Sequence, residues 1–331
     1  MILITGGMGF IGLHTARALL DAGEDVVLTR FRAWRAPDFI AAEIGGRVQV
    51  EALDLRDGWG LLDVIRRHAV SGVVHLAGPA LGAPPAHQFE VALSGLLNVL
   101  EAGRQQGLGR ISVASSVSVY SNAGPGPWRE EVPLPVESDS HVAAAKKAME
   151  VVALDFAQRT GQDVRLLRLG GIYGPLYHSM ANLPSRLCHA AVEDADPDLE
   201  GMRGGAPGRD DAADRCYVKD CARGIRLVQL STGLRYRVYN VGAGYATTSQ
   251  EVADAVRAVA PAAAFTFPAG QSGPGGGRQA FMELSRLQAD TGYAPAYDIR
   301  RGVADYVEWL SRHPDHPTGA AAGHPAEVRR V

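Results

Sequence analysis

The sequence predicts a doubly wound α/β fold: a parallel sheet covered by helices on both faces, with a smaller C-terminal region capping it. Two observations carry this. Short apolar runs alternate with helical stretches through the first half of the chain, a rhythm that right-handed crossovers convert into a parallel sheet. At the start, the apolar run Ile2-Leu3-Ile4 passes through Gly6-x-x-Gly9-x-x-Gly12 into the helical pattern of Phe10 to Leu20. A buried strand that turns through glycines into a helix makes a phosphate cradle. The glycines permit the tight turn and the close approach of a pyrophosphate, whose charge is held by N–H groups and the positive end of the helix. The expected ligand is a dinucleotide.

The later strands are read at residues 26–29, 48–51, 72–76, 111–115 and 164–169, and helices at 57–68, 85–106 and 138–159. After Gly174-Pro175 the rhythm fails. Residues 176–213 are rich in Pro, Gly and Asp with one good helical stretch at 183–192, and 268–277 is a Gly/Pro-rich loop. Tyr239-Asn240-Val241 reads as a further strand, 249–259 as a helix and 299–310 as the last one. The division expected is a dinucleotide-binding domain of residues 1–170 and 214–258, a substrate-capping region of 171–213 and 259–312, and a flexible tail of 313–331.

Composition narrows the function. With 46% hydrophobic residues in 331 the chain can bury a substantial core, and a net charge of −3 with acids and bases interspersed suggests neither a nucleic-acid groove nor a polybasic membrane surface. A small-molecule partner is expected. No apolar run reaches the ~20 residues of a membrane span, and a strand that starts at Met1 leaves no room for a cleavable signal, so cytoplasmic residence is expected. Cys188, Cys216 and Cys221 lack metal-type spacing and read as free thiols, and no metal site is expected.

Separated segments resemble the extended short-chain dehydrogenase/reductases, specifically the NAD(P)-dependent epimerase/dehydratase group, over nearly the whole chain to about residue 312. They are Thr5-Gly-Gly-Met-Gly-Phe-Ile-Gly12, Asp54-Leu55, His75-Leu-Ala-Gly78, Ser115-Ser-Val-Ser-Val-Tyr120, Lys146 with Glu150, Gly174-Pro175 and Tyr239-Asn-Val-Gly242. The resemblance implies a Rossmann-type sheet with ligand across the strand carboxyl ends. It sets Gly6, Gly9, Phe10, Ile11 and Gly12 at the pyrophosphate, and Asp54 and Leu55 at the adenine. Leu76, Ala77 and Gly78 line the path to the ribose, Lys146 bonds the ribose hydroxyls, and Ser115, Gly171 and Ile172 are further cofactor contacts. Ser116 stands at the substrate-binding Ser/Thr position, and Asn182 and Leu183 at a nucleotide-diphosphate contact, with Arg186, Arg215 and Arg278 as candidate diphosphate partners. It also implies a homodimer through the helices of 85–106 and 138–159.

Four departures from the family pattern matter. Arg30 ends the second strand where NAD-using relatives carry an acid, and Arg32 and Arg35 follow it, so NADP is the expected cofactor with NAD as the alternative. The family's reactive tyrosine, four residues before Lys146, is Val142. Tyr120 and His141 are candidates to replace it beside Ser116 and Lys146, although Tyr120's family role is structural and His141 lies about 100° around a regular helix from Val142. Ala92 replaces a common asparagine. Gly170-Gly171 replaces larger residues against the nicotinamide, which either permits close packing or makes space for substrate. The expected function is an NADP-dependent epimerase/dehydratase-type enzyme with an atypical acid–base site, acting on a nucleotide sugar or another polyhydroxylated or carbonyl metabolite. The alternative is a non-catalytic NADP(H)-binding sensor or scaffold.

Overall fold

The structure, a computed structural model, describes residues 1–31, 34–78, 82–199, 202, 206–263, 265–273, 277 and 279–314. In chain order the elements are β1 (Ile2–Thr5), α1 (Phe10–Asp21), β2 (Val26–Arg30), α2 (Asp38–Ala41), β3 (Val48–Ala52), α3 (Gly58–Arg67), β4 (Gly72–His75), α4 (Pro85–Gln106) and β5 (Arg110–Ser116). A single helical turn, Val117–Tyr120, leads to α5 (His141–Thr160), β6 (Asp163–Leu169), β7 (Gly171–Tyr173), α6 (Leu183–Glu193), β8 (Ala212–Tyr217) and α7 (Val218–Leu230). Then follow β9 (Val238–Val241), β10 (Ala246–Thr248), α8 (Ser249–Val259), α9 (Ser285–Thr291) and α10 (Ile299–Arg312).

The chain divides into two units. The first comprises Met1–Gly170, Lys219–Gly242 and Met282–Ala294. Its seven strands run in the order β3-β2-β1-β4-β5-β6-β9, every adjacent pair parallel. The order reverses between β1 and β4, and the loops that leave their carboxyl ends diverge there, which opens a crevice for ligand. Below it, Leu3, Val73, Ile111 and Leu166 of the strands pack on Leu96, Val99 and Leu100 of α4 and on Met149, Ala153 and Ala157 of α5. Each such large aliphatic side chain contributes ~1.5–3 kcal/mol by leaving water.

Local chemistry sets the helix limits. Pro85 opens α4, where its missing N–H costs nothing, and Gly107 closes it at φ 63°. The Ser140 side chain accepts the Ala143 N–H at 3.2 Å to cap α5, which begins three residues later than the sequence suggests, and Gly161 ends it at φ 76°.

The second unit comprises Gly171–Val218, Ala243–Phe281 and the described residues from Pro295 onward. Its small sheet, β10-β8-β7, joins an antiparallel pair to a parallel one, over a core that includes Tyr173, Leu187, Tyr217, Val256, Tyr306 and Leu310. Residues 243–258 group with this unit because β10 pairs with β8, and 282–294 group with the first because α9 packs on β9. Strand β8 is invisible to apolar periodicity because Asp214 and Arg215 interrupt it. Asp214 is nonetheless buried, accepting the Ala243 N–H at 2.8 Å. Of the expected tail, residues 315–331 lie outside the described residues.

Helix α1 can lie against the glycine turn only without a side chain at Gly12, whose Cβ would fall 2.6 Å from both the Gly6 and Gly7 carbonyl oxygens. Gly12→Ala should therefore cost ~1–3 kcal/mol through overpacking, read as a lowered denaturation midpoint with unchanged denaturant slope.

Candidate active site

The turn after β1 is held from two sides. Gly6 has φ +66°, and a Cβ there would meet the Ala77 nitrogen at 3.1 Å. Its N–H donates to Thr29 Oγ1 at 3.1 Å. Gly7, outside the three-glycine spacing, is equally constrained, because its Cβ would lie 2.7 Å from the Ile4 oxygen and 2.8 Å from Leu28 Cβ. Gly9 occupies the N-cap of α1 and no side chain caps that helix, so Phe10 and Ile11 begin it with its positive end toward the turn. Thr5 Oγ1 meets His75 Nδ1 at 2.8 Å. Burial first, and then the nearby Lys146 charge, lower the His75 pKa to about 3, so the ring is neutral. Its Nε2 is buried with no partner.

These residues border a cavity of about 480 Å³ in the first unit, lined among others by Gly6, Thr29, Phe31, Asp54, Leu55 and Gly78. Asp54 pairs with Arg56 at 2.6 Å, and that bond holds its carboxyl below the usual range. The Leu55 carbonyl accepts Asn98 Nδ2 at 2.7 Å, which fixes Leu55 on the wall. His75, Ala77 and Ala92 also face the cavity, whereas Leu76 is tied by its N–H to the Thr5 oxygen at 3.1 Å. Phe31, Arg56 and His87 line the cavity too, and no spacing in the sequence marks them. Arg30 lies between two lining residues, its guanidinium carbon 5.8 Å from the Trp34 ring centroid. Arg32 lies outside the described residues.

Helix α5 is fixed to the sheet by a buried ion pair. Glu150 accepts Arg168 Nε at 2.9 Å and Nη2 at 2.7 Å, and Ser115 donates to the same carboxylate at 2.5 Å. Ser115 thus spends its hydroxyl on the anchor. Lys146, one turn before Glu150, donates to the Ala114 carbonyl at 2.6 Å and lies close to Gly78, where a Cβ would stand 3.8 Å from its Nζ. Desolvation lowers the Lys146 pKa to about 8 against the opposing pull of Glu150.

Val142 sits one turn further up the same regular helix, half-buried. Neither candidate replacement comes to its place. Tyr120 is fully buried, donating to Asn240 Oδ1 at 2.8 Å and accepting from Arg168 at 2.9 Å, and burial pushes its phenol up to about 12. Its role is structural. His141 is half-buried at the first turn of α5, its ring packed edge-on against Phe89 of α4 at 4.6 Å. Ser116 accepts from the Ser118 N–H at 3.1 Å and the Ser118 hydroxyl at 2.9 Å, which leaves its own proton to donate.

In the second unit, Gly171 is a packing glycine, since a Cβ would fall 2.6 Å from the Asp214 carbonyl oxygen. Ile172 is buried, and its carbonyl accepts Asn182 Nδ2 at 3.0 Å. Asn182 Oδ1 accepts the Ser185 N–H at 2.9 Å, so the amide caps α6 and ties it to β7 while keeping a second donor. Leu183 is a core residue. Arg186 donates to the Met180 carbonyl at 2.6 Å and pairs with Asp198. Arg278 lies outside the described residues. Among the described residues no group of acidic, His and Cys side chains is arranged to hold a metal, and no helix is long and apolar enough to cross a membrane.

A parallel sheet that reverses at β1, a glycine turn at that point and a lysine-bearing helix against β5 define the extended short-chain dehydrogenase/reductase class. The chain belongs to the NAD-dependent epimerase/dehydratase family, whose model matches residues 2–242. It is 29% identical to a dTDP-glucose 4,6-dehydratase of Streptomyces griseus over 326 residues, 94% of each chain. A UDP-glucose 4-epimerase from Thermus thermophilus, solved with NAD, is similar at 29% identity and a TM-score of 0.73, over 93% of this chain and 97% of that one. MoeE5, solved with UDP-glucuronic acid and NAD, is similar at 27% identity and a TM-score of 0.74, over 94% and 99%.

The folded Lys146 pKa of about 8 lies below the unperturbed 10.5, so folding disfavours the ammonium. The penalty is complete below pH 8 and disappears as pH rises toward 10.5. Unliganded Lys146→Met should gain stability over the native protein at pH 7, with the gain shrinking toward pH 10, as measured by urea denaturation across pH.

Proposed function

We propose that this protein is an NADP-dependent enzyme that acts on a nucleotide sugar through a site whose usual phenol is replaced by Val142. The observation that carries the reading is Lys146, buried yet close to neutrality in pKa, held beside the glycine-bordered cavity by Ala114 and faced by Gly78. The cradle fits a nicotinamide dinucleotide, because Gly6, Gly7 and Gly12 admit no side chain and so allow the tight turn onto the start of α1, whose positive end suits a pyrophosphate. When bound, that cofactor accepts a hydride from a sugar carbon and can return it.

In this reading Phe10 and Ile11 bind the pyrophosphate, Asp54 and Leu55 flank the adenine, and Lys146 holds the ribose hydroxyls. Arg30 selects the 2′-phosphate, with Arg35 on the same loop. Ser116, its hydroxyl oriented by two bonds from Ser118, donates to the reacting sugar oxygen. The valine supplies no proton, so Ser116 and the Lys146 amine are the polar groups left to handle it. The support for a nucleotide sugar is the family and the relatives' substrates. Val142 itself favours a second reading, an NADP(H)-binding sensor without turnover, since general acid–base help contributes ~10²–10⁴ in rate.

Two measurements test this. Calorimetric titration should show NADPH bound at least ~tenfold tighter than NADH, as one charge-assisted contact provides, with Arg30→Asp shifting the preference toward NADH. Equal native affinities would remove the NADP assignment. NADPH absorbance and product analysis over a nucleotide-sugar panel should show turnover by native protein, raised ~10²-fold by Val142→Tyr, which rebuilds the pair with Lys146. Binding without turnover across the panel would favour the sensor.

A further inference from the structure

We propose that His75 is a ligand-binding residue whose Nε2–H donates to a hydroxyl of the ribose that Lys146 also holds. The proposal rests on the dinucleotide reading and lies wholly within the first unit. Strand register sets Leu3 opposite Val73 and Thr5 opposite His75. Leu3 and Val73 belong to the core that includes Leu96 and Val99 of α4, and residues two apart on a strand share a face, so Thr5 and His75 project toward α4 as well. The cavity that His75 borders is lined on that side by Ala92 and Gly95 of α4, which bring a methyl group and a hydrogen atom. Neither can pair with an imidazole.

The bonds around Thr5 decide which ring nitrogen carries the proton. Thr5 is fully buried, and its Oγ1 accepts the Ala77 N–H at 3.5 Å while meeting His75 Nδ1 at 2.8 Å. The Thr5 hydroxyl proton needs an acceptor, and among the described residues Nδ1 is the one within reach. Burial and the Lys146 charge keep the ring neutral, so its single proton sits on Nε2, on the far side of the ring from β1. That atom is a buried donor with no partner, in a side chain only 1% exposed. A buried donor without an acceptor carries the full penalty of lost hydration, which a ligand oxygen would relieve.

Position and charge together select the acceptor. Lys146 is close enough to act on the His75 ring, and Gly78, beside the Lys146 Nζ, lines the same cavity as His75. The two donors therefore serve one part of the ligand. A phosphate there would favour a protonated ring, which burial and the neighbouring ammonium both oppose. An uncharged hydroxyl asks for no such change, and the vicinal hydroxyls of a ribose offer an oxygen to each donor.

The test compares ADP-ribose, which carries that ribose, with ADP, which lacks it, so the outcome does not depend on the choice between NAD and NADP. In ¹⁵N spectra of histidine-labelled native protein, the free His75 should show its proton on Nε2, and ADP-ribose should shift that resonance while ADP leaves it in place. Calorimetric titration should show ADP-ribose bound ~three- to tenfold more weakly by His75→Phe, the scale of one neutral hydrogen bond, with ADP unchanged. His75→Gln, which keeps an N–H donor, should fall between native and His75→Phe. An Nε2 resonance unmoved by ADP-ribose would mean a buried water only and overturn the proposal, as would a proton on Nδ1 or equal losses for ADP and ADP-ribose in His75→Phe. Each of these leaves the dinucleotide reading standing. If native protein binds neither ADP-ribose nor NADPH, that reading fails and takes the proposal with it. Should His75→Phe not fold, the spectra of the native protein decide alone.

Discussion

The ion pair between Glu150 and Arg168 is the contact on which the site depends. Both side chains are 5% exposed, so each charge is tolerable only because the other is present, and loss of one partner costs ~3–5 kcal/mol where a buried charge is left alone. The pair joins α5 to β6, reaches β5 through Ser115, and through Arg168 holds the Tyr120 hydroxyl and the Glu130 carbonyl. Lys146 is one turn away on the same helical face. Its aim at Ala114 is thus set by a charge pair that touches no ligand in the proposed arrangement.

The same face explains what is altered. Val142, Lys146 and Glu150 follow at four-residue spacing, which on an α-helix is one stripe. Two members of the stripe keep the polar character expected of them, and the third is an aliphatic side chain where a phenol belongs. In the proposed reading the residues assigned to the dinucleotide keep the types expected of them, while the position assigned to the proton-moving phenol holds an aliphatic side chain. Tyr120 cannot compensate because it is bound up in the Arg168 and Asn240 network, and His141 faces Phe89. Ser116 keeps a proton to give.

Much of this was legible in the residues. The strands of the seven-stranded sheet are short apolar-rich stretches between helical patterns, some interrupted as β3 is by Gln49 and Glu51 and β6 by Arg165 and Arg168, and the crevice follows from the glycine turn after β1. The stretches that escaped were those in which tertiary partners override local pattern. β8 carries Asp214 and Arg215 inside a strand because Asp214 finds the Ala243 N–H, a contact between segments far apart in sequence. Gly7 and Thr29 support the turn through contacts with β2, which no spacing reveals. The two roles of Gly171 could not be separated without the Asp214 carbonyl that packs against it. Asn182 reads by resemblance as a ligand contact, and its amide also caps α6 and holds β7, a structural task that no spacing reveals.

The central claim is that the Glu150–Arg168 pair positions Lys146 for the dinucleotide. A double-mutant cycle with Glu150→Gln and Arg168→Gln, read by NADPH affinity on folded protein, tests it most directly. Each single change should weaken binding ~tenfold or more, and the double change should cost far less than the sum, because the two residues act as one unit. Native affinity in both single variants would contradict the account.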